Sequence, residues 1–151
     1  MNCVIIDYGS GNLNSAAKAF ERAADAVAQP SHIQISSKPE DILAASHIVL
    51  PGVGAFGDCA AGIKRVDGLM MALQEAVLTK GSWFLGICVG MQLMLQCGYE
   101  HGQHKGLGWI EGDVTRLSPD PAKPESTAAG YKIPHMGWNV LTLHNPNSPL
   151  L

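Results

Sequence analysis

The 151 residues carry a formal net charge of −3, with 46% hydrophobic and 15% charged side chains. This balance describes one well-buried globular domain and excludes a disordered or low-complexity chain; a chain of this size hides roughly two-thirds of its unfolded surface. The mild negative charge gives no electrostatic reason to expect nucleic acid or an anionic membrane as partner, and leaves a small neutral or cationic ligand or another protein.

The apolar start Cys3-Val4-Ile5-Ile6 is broken by Asp7, follows no basic stretch and is too short for a signal peptide or a membrane span, so a cytoplasmic protein is expected. Val4 to Tyr8 reads as a buried strand, followed by Gly9-Ser10-Gly11 and a helical pattern through Leu13, Ala16, Ala17 and Phe20. Ile33 to Ile35 is a weaker second strand. Ser37 as N-cap, Pro39 in the first turn and the acidic Glu40 and Asp41 start a short helix that ends before Ser46. The run Ile48-Val49-Leu50 predicts a parallel strand covered on both faces, beginning at His47 and stopped by Pro51. Leu69 to Leu78 has helical periodicity and ends at Lys80-Gly81.

Trp83 to Ile87 reads as another buried strand. Val89, Met91, Leu93, Met94 and Leu95 then predict a nearly all-apolar, central helix closed by Gly98. Strand and helix alternate as in an open, doubly wound, mostly parallel α/β sheet. After Gly106 two shorter strands are expected, Trp109-Ile110 and Val114 to Leu117, then a mobile loop over 118–130 with Pro119, Pro121 and Pro124. Trp138 to Leu143 reads as a last alternating strand before a turn-like end, so the sheet is expected to be incomplete at its C-terminal side.

The chemistry concentrates at Gly86-Ile87-Cys88-Val89-Gly90, the thiol version of G-x-S-x-G, placed after a strand and before a helix as a nucleophile elbow requires. Glycine two residues before and after the nucleophile lets strand and helix approach closely around a strained backbone. The unsatisfied N–H groups of a helix start favour a thiolate and stabilise a tetrahedral oxyanion, with Val89 N–H as the first donor. Cys3, Cys59 and Cys97 read as structural thiols. With no CxxC and no regular spacing, all four cysteines are expected to be reduced.

Pro51-Gly52-Val53-Gly54-Ala55-Phe56-Gly57 matches GxGxxG literally. Pro51 and the lack of a strand-end acid about 20 residues on argue against a dinucleotide site. The loop reads instead as a second wall of the Cys88 site. Cys97-x3-His101-x2-His104 offers three metal-ligand types without a fourth, so no metal and no cofactor is expected.

Leu50-Pro51-Gly52-Val53-Gly54 together with Gly86 to Gln92 resembles class I glutamine amidotransferases. Asp7 to Leu13, Ala55-Phe56-Gly57, Gly106-Leu107-Gly108 and Pro134-His135-Met136-Gly137-Trp138-Asn139 look, more closely, like the glutaminase subunits of imidazole glycerol phosphate synthases in histidine biosynthesis. The likeness spans nearly the whole chain. It implies that Cys88 attacks the side-chain amide of glutamine, that the backbone N–H groups of Val89 and Val53 form the oxyanion hole (the latter after the Gly52-Val53 peptide reorients), and that Gly52 and Gln92 hold glutamine. It also implies delivery of ammonia to a (β/α)8 cyclase subunit. Asn12, Met136 and Trp138 fall in segments similar to the family's docking face; for Trp138, core packing is an equal reading.

Family members complete a triad from a late His-Pro-Glu segment, and none occurs here. His135 belongs to the docking-like motif, His144 to the terminal turn, and His32 and His47 to strand positions. The chain is therefore expected to be a C-terminally truncated glutaminase, inactive alone. A short cyclase-binding or structural form, and a thiol hydrolase or redox sensor of related fold, are the competing readings.

Overall fold

The computed structural model describes residues 1–27, 30–118, 136–140 and 142–144. They fall in two units, Met1–Arg116 and Leu117–Leu151. The expected loop over 118–130 lies, from residue 119 on, outside the described residues, and so does His135.

In the first unit, β1 (Asn2–Ile6), β2 (His32–Ser36), β3 (His47–Gly52) and β4 (Trp83–Cys88) form a parallel sheet in the order β2-β1-β3-β4. Side chains alternate across it. Val4, Ile6, Ile48 and Leu50 face one layer, made by α2 (Pro39–Leu43), α3 (Phe56–Arg65) and α4 (Leu69–Gln74), where Ile42, Phe56, Ile63, Leu69 and Leu73 are fully buried. Cys3, Ile5 and Val49 face the other, covered by Leu13, Ala16, Ala17 and Phe20 of α1 (Leu13–Ala26). Each such side chain contributes about 1.5–3 kcal/mol when fully buried. The doubly wound α/β architecture expected from the alternation is therefore the one observed.

Several local expectations are corrected. The N-cap of the short helix is Lys38 rather than Ser37, and Ser36 does the local bonding: its hydroxyl donates to Asp41 and accepts the Lys38 N–H. Pro51 does not stop its strand. Pairing with β4 continues through Pro51↔Ile87 and Gly52↔Cys88, while β1 pairs only as far as Val49, so the proline's missing N–H falls where one side of the strand has no partner. The expected helix over Leu69 to Leu78 forms as α4 and then widens into a π-helical turn, Glu75–Thr79.

Trp83 to Ile87 is a strand but not a buried one. β4 is an edge of this sheet, and Trp83, Leu85 and Ile87 are exposed, outside the cluster that α1 covers with Cys3, Ile5, Ile33 and Val49. The apolar helix after Cys88 is cut to a single turn, α5 (Val89–Gln92). Carbonyls that would continue it are taken by a distant segment: Leu107 N–H donates to Leu93 O at 2.7 Å, Trp109 N–H to Met94 O at 2.9 Å, Gly108 N–H to Leu95 O at 3.1 Å and Gly106 N–H to Gln96 O at 2.8 Å. Only glycine fits at 106, since a Cβ would overlap the Leu95 carbonyl oxygen. Trp109-Ile110 is accordingly not a strand; Trp109 packs edge-on against Phe84, with ring centroids 4.8 Å apart. A small second sheet joins β5 (Cys97–Gly98), β6 (His104–Lys105) and β7 (Asp113–Val114), and of the expected strand Val114 to Leu117 only Val114 lies in it. Gly98 thus belongs to a strand rather than a helix end.

In the second unit, the described residues of 138–143 form no strand, and Met136, Trp138 and Val140 are exposed.

Gly106→Ala is expected to destabilise the chain by about 2–4 kcal/mol in urea unfolding, because a backbone oxygen must move. Gly108→Ala meets open space and faces only its positive φ of 69°, so it should cost less, about 1–2 kcal/mol. An equal or smaller loss at Gly106 contradicts the account of why α5 stops.

Candidate active site at the Cys88 elbow

Cys88 ends β4 and is the N-cap of α5, at φ 56° and ψ −117°. Among the described residues only His101 is another non-glycine with positive φ. Such a backbone costs on the order of 1–3 kcal/mol and persists only where its surroundings enforce it. Here the glycines do so. A Cβ on Gly86 would lie 2.6 Å from the Gly90 oxygen and the Met91 nitrogen, and one on Gly90 would overlap the Leu50 carbonyl. The steric reason anticipated for G-x-C-x-G is present at both ends.

Val89 and Gly90 are buried while Cys88 is exposed, so the thiol projects from a packed base. As first residue of the helical turn, Val89 has an N–H without an intrahelical acceptor. Gly52 lies opposite Cys88 in the ladder, and a Cβ there would be 2.6 Å from Gly90 N, 2.9 Å from Val89 Cβ and 3.0 Å from the Tyr8 hydroxyl. The structure therefore brings Cys88, Val89 and Gly52 together. Gln92 is half-buried at the end of the same turn.

Val53 is placed differently. Its N–H donates to Ser10 Oγ at 3.0 Å, and its carbonyl accepts the Ser10 hydroxyl at 2.8 Å and the Cys59 thiol at 3.4 Å. In this conformation its N–H is occupied.

Sequence reasoning passed over the residues that hold this wall. Tyr8, buried, donates its hydroxyl to the Pro51 carbonyl at 2.6 Å. Burial, then the Cys59 thiol, with a smaller contribution from the charge of Cys88, pushes its phenol far above the ordinary range, so it remains a donor at working pH. Glu100 caps α3 by accepting the Phe56 N–H at 2.9 Å. The signal available was topological: β1 and β3 are neighbours whose following helices, α1 and α3, leave on opposite faces, and the crevice at such a switch point is where open α/β sheets bind ligands.

Asn12 is the N-cap of α1, its Oδ1 accepting the Ser15 N–H at 3.3 Å, and its side chain is exposed. Met136 and Trp138 are exposed in the second unit. His47 begins β3, five residues and so roughly 16 Å of strand from Gly52, and His32 begins β2; both are at the end of the sheet away from Cys88. Among the described residues no three His, Cys, Asp or Glu side chains are grouped to hold a metal ion, and no helix is long and apolar enough to cross a membrane.

The family model for class-I glutamine amidotransferases matches residues 4–150. The chain is 51% identical over 141 residues to the imidazole glycerol phosphate synthase subunit HisH of Rhodopseudomonas palustris, covering 93% of this chain and 62% of that protein. It is 49% identical over 152 residues to the HisH subunit of Rhodospirillum rubrum, covering 100% and 67%. With that of Agrobacterium fabrum it shares 51% identity over 146 residues, covering 96% and 64%. The chain thus spans between three-fifths and about two-thirds of the length of these relatives.

Brief alkylation with iodoacetamide at neutral pH should modify Cys88 before Cys97, with Cys3 and Cys59 protected by burial. Peptide mass spectrometry reads the order, and Cys97 or Cys59 reacting ahead of Cys88 in the folded protein removes the nucleophile assignment.

Proposed function

The chain belongs to the class-I glutamine amidotransferase family, and on that premise we propose that it is the nucleophile-bearing part of a glutaminase that feeds ammonia to the cyclase of an imidazole glycerol phosphate synthase in histidine biosynthesis. The observation that carries the reading is the Cys88 elbow itself: an exposed thiol on a strained backbone, beside a helix-start N–H and opposite Gly52. Cys88 sulfur adds to the side-chain carbonyl carbon of glutamine, and the oxygen takes the electron pair as an oxyanion beside Val89 N–H. Collapse expels the amine, which leaves with a proton as ammonia, and a thioester remains. Water opens it to glutamate and restores the thiol. Gly52 and Gln92 flank the position glutamine takes, and Val53 N–H joins the oxyanion hole once it leaves Ser10.

The proton that the leaving amine needs, and the activation of the water, call for a paired acid–base group. A histidine and a glutamate of the His-Pro-Glu type are the groups the family uses, and these 151 residues contain no such segment. We assign that half of the chemistry to groups outside these 151 residues. The partner is a (β/α)8 cyclase in the same cytoplasmic compartment, met by Asn12 of the first unit and, separately, by Met136 and Trp138 of the second. Their exposure is compatible with docking, and Trp138 has no core to fill among the described residues.

Two measurements test the reading. Glutamine should slow alkylation of Cys88; no protection by glutamine favours a thiol hydrolase or redox sensor instead. Glutamate release by the 151-residue chain should not exceed that of its Cys88→Ala variant, with or without cyclase, since losing triad members costs several powers of ten in rate. Steady Cys88-dependent turnover at the rate of a full-length relative would place the acid–base histidine within this chain, with His135 the first to substitute.

A further inference from the structure

Trp83 N–H donates to the Ser46 carbonyl at 3.0 Å, and the ladder between β3 and β4 runs unbroken from His47↔Trp83 to Gly52↔Cys88. Alternate residues of a strand bond to the same neighbour, so Trp83, Leu85 and Ile87 spend their backbone groups on β3. Phe84 and Gly86 turn theirs outward, where no strand among the described residues meets them. Gly86 has only backbone to show and is still partly exposed although α5 packs over it. Free edges are normally protected by a charge, a proline or a bulge, and the strand Trp83–Cys88 carries none of these. One face of the edge is apolar as well. Phe84 packs into the layer of α3 and α4, so Trp83, Leu85 and Ile87 stand on the opposite face, and all three are exposed, Trp83 by 68%.

We propose that β4 is a self-association edge, at which two copies of this chain pair antiparallel about a two-fold axis through Leu85 and make one sheet continuous through both. The register follows from the unpaired groups. Ser82 N–H is already bonded to the Ala76 carbonyl at 2.9 Å, and Cys88 leaves the extended conformation at φ 56°, so Phe84 and Gly86 are left to form a new ladder. The pairing that uses all their groups sets Phe84 opposite Gly86 of the second copy and Leu85 opposite itself. Trp83 then lies opposite Ile87 of the second copy on the exposed face, an aromatic against a β-branched side chain, with the two Leu85 side chains between. A second copy fits better than an unrelated strand because the same residues satisfy both sides and the pairing leaves neither β4 edge free. Each copy hides roughly 400 Å², about 800 Å² in all, which is below the size of a permanent interface and gives a weak dimer, dissociating on the order of tens of micromolar.

Sedimentation velocity of the 151-residue chain from about 2 to about 200 µM should show monomer passing to dimer and no larger species. Leu85→Lys, which sets like charges opposite each other on the axis, should weaken association roughly tenfold or more. In a Cys88→Ala background, which removes the exposed thiol, Leu85→Cys should give a disulfide-linked dimer on mild air oxidation. Trp83→Cys in that background should not, because its two copies are separated by four residues of strand, roughly 13 Å. Circular dichroism reports whether each variant folds, and the two cysteine variants decide the matter where Leu85→Lys does not. A monomer at every concentration overturns the proposal, as do growth beyond the dimer, an undiminished dimer of folded Leu85→Lys, or equal cross-linking at both cysteine positions. A monomer in which the Phe84 and Gly86 amides resist hydrogen exchange also overturns it, by showing that another part of the chain already occupies this edge.

Discussion

The close approach of two backbones underlies the rest of the structure: the end of β3 and the start of α5 meet at a distance that no side chain tolerates. Gly52, Gly86 and Gly90 each lie where a Cβ would come within 2.6 Å or less of another backbone atom. This contact fixes the turn at Cys88, because β4 must end opposite Gly52 and the chain must immediately lift over Leu50. The strain at Cys88 costs on the order of 1–3 kcal/mol. Burial of Val89 and Leu93 beside it returns about 1.5–3 kcal/mol for each side chain, so packing wins and the elbow is held without help from a ligand.

The same approach places the glycine-rich loop. With Gly52 locked against Val89, the residues after it are carried to the crevice between β1 and β3, where the loop after β1 brings Tyr8 and Ser10. The sheet order thereby puts a phenol and a hydroxyl from one loop onto the peptides of another, 43 residues away. One wall, Val89, is fixed by its covalent link to the nucleophile, while the other is held by hydrogen bonds.

How much of this could be read in the sequence varies with the range of the interactions. The elbow was legible because its glycines and its strand–helix context lie within seven residues of one another, and the strand–helix alternation gave the sheet for the same reason. Helix α3 went unread because Gly54 to Gly57 reads as loop, although Glu100 caps its first N–H from 44 residues away. The apolar run from Val89 to Leu95 was over-read as one helix, because local pattern does not show that the N–H groups from Gly106 to Trp109 compete for its carbonyls. The two-residue strands of the second sheet are shorter than any periodicity can register. Pro51 misled in the opposite sense: a proline signals a strand end only where both edges are paired, and pairing is a tertiary fact.

On the proposed reading, in which Val89 and Val53 are the two oxyanion donors, the division into a fixed and a held donor has a chemical consequence. An oxyanion hole that is complete at rest interacts with any carbonyl and with the thiolate itself, stabilising ground states along with the transition state, and such uniform stabilisation does not raise the rate of the chemical step. If the second donor is engaged elsewhere until the substrate is in place, its interaction energy is realised only once charge develops on the substrate oxygen. Loss of the Val53 N–H bond to Ser10 would then subtract a small, constant amount from that gain. For the glutaminase proposed above, whose ammonia is meant for a partner, this subtraction is useful, because glutamine bound before the partner is ready meets an incomplete hole. The glycines on both sides of Val53, which look like the weakest part of the wall, are on this argument the part that must remain free to move.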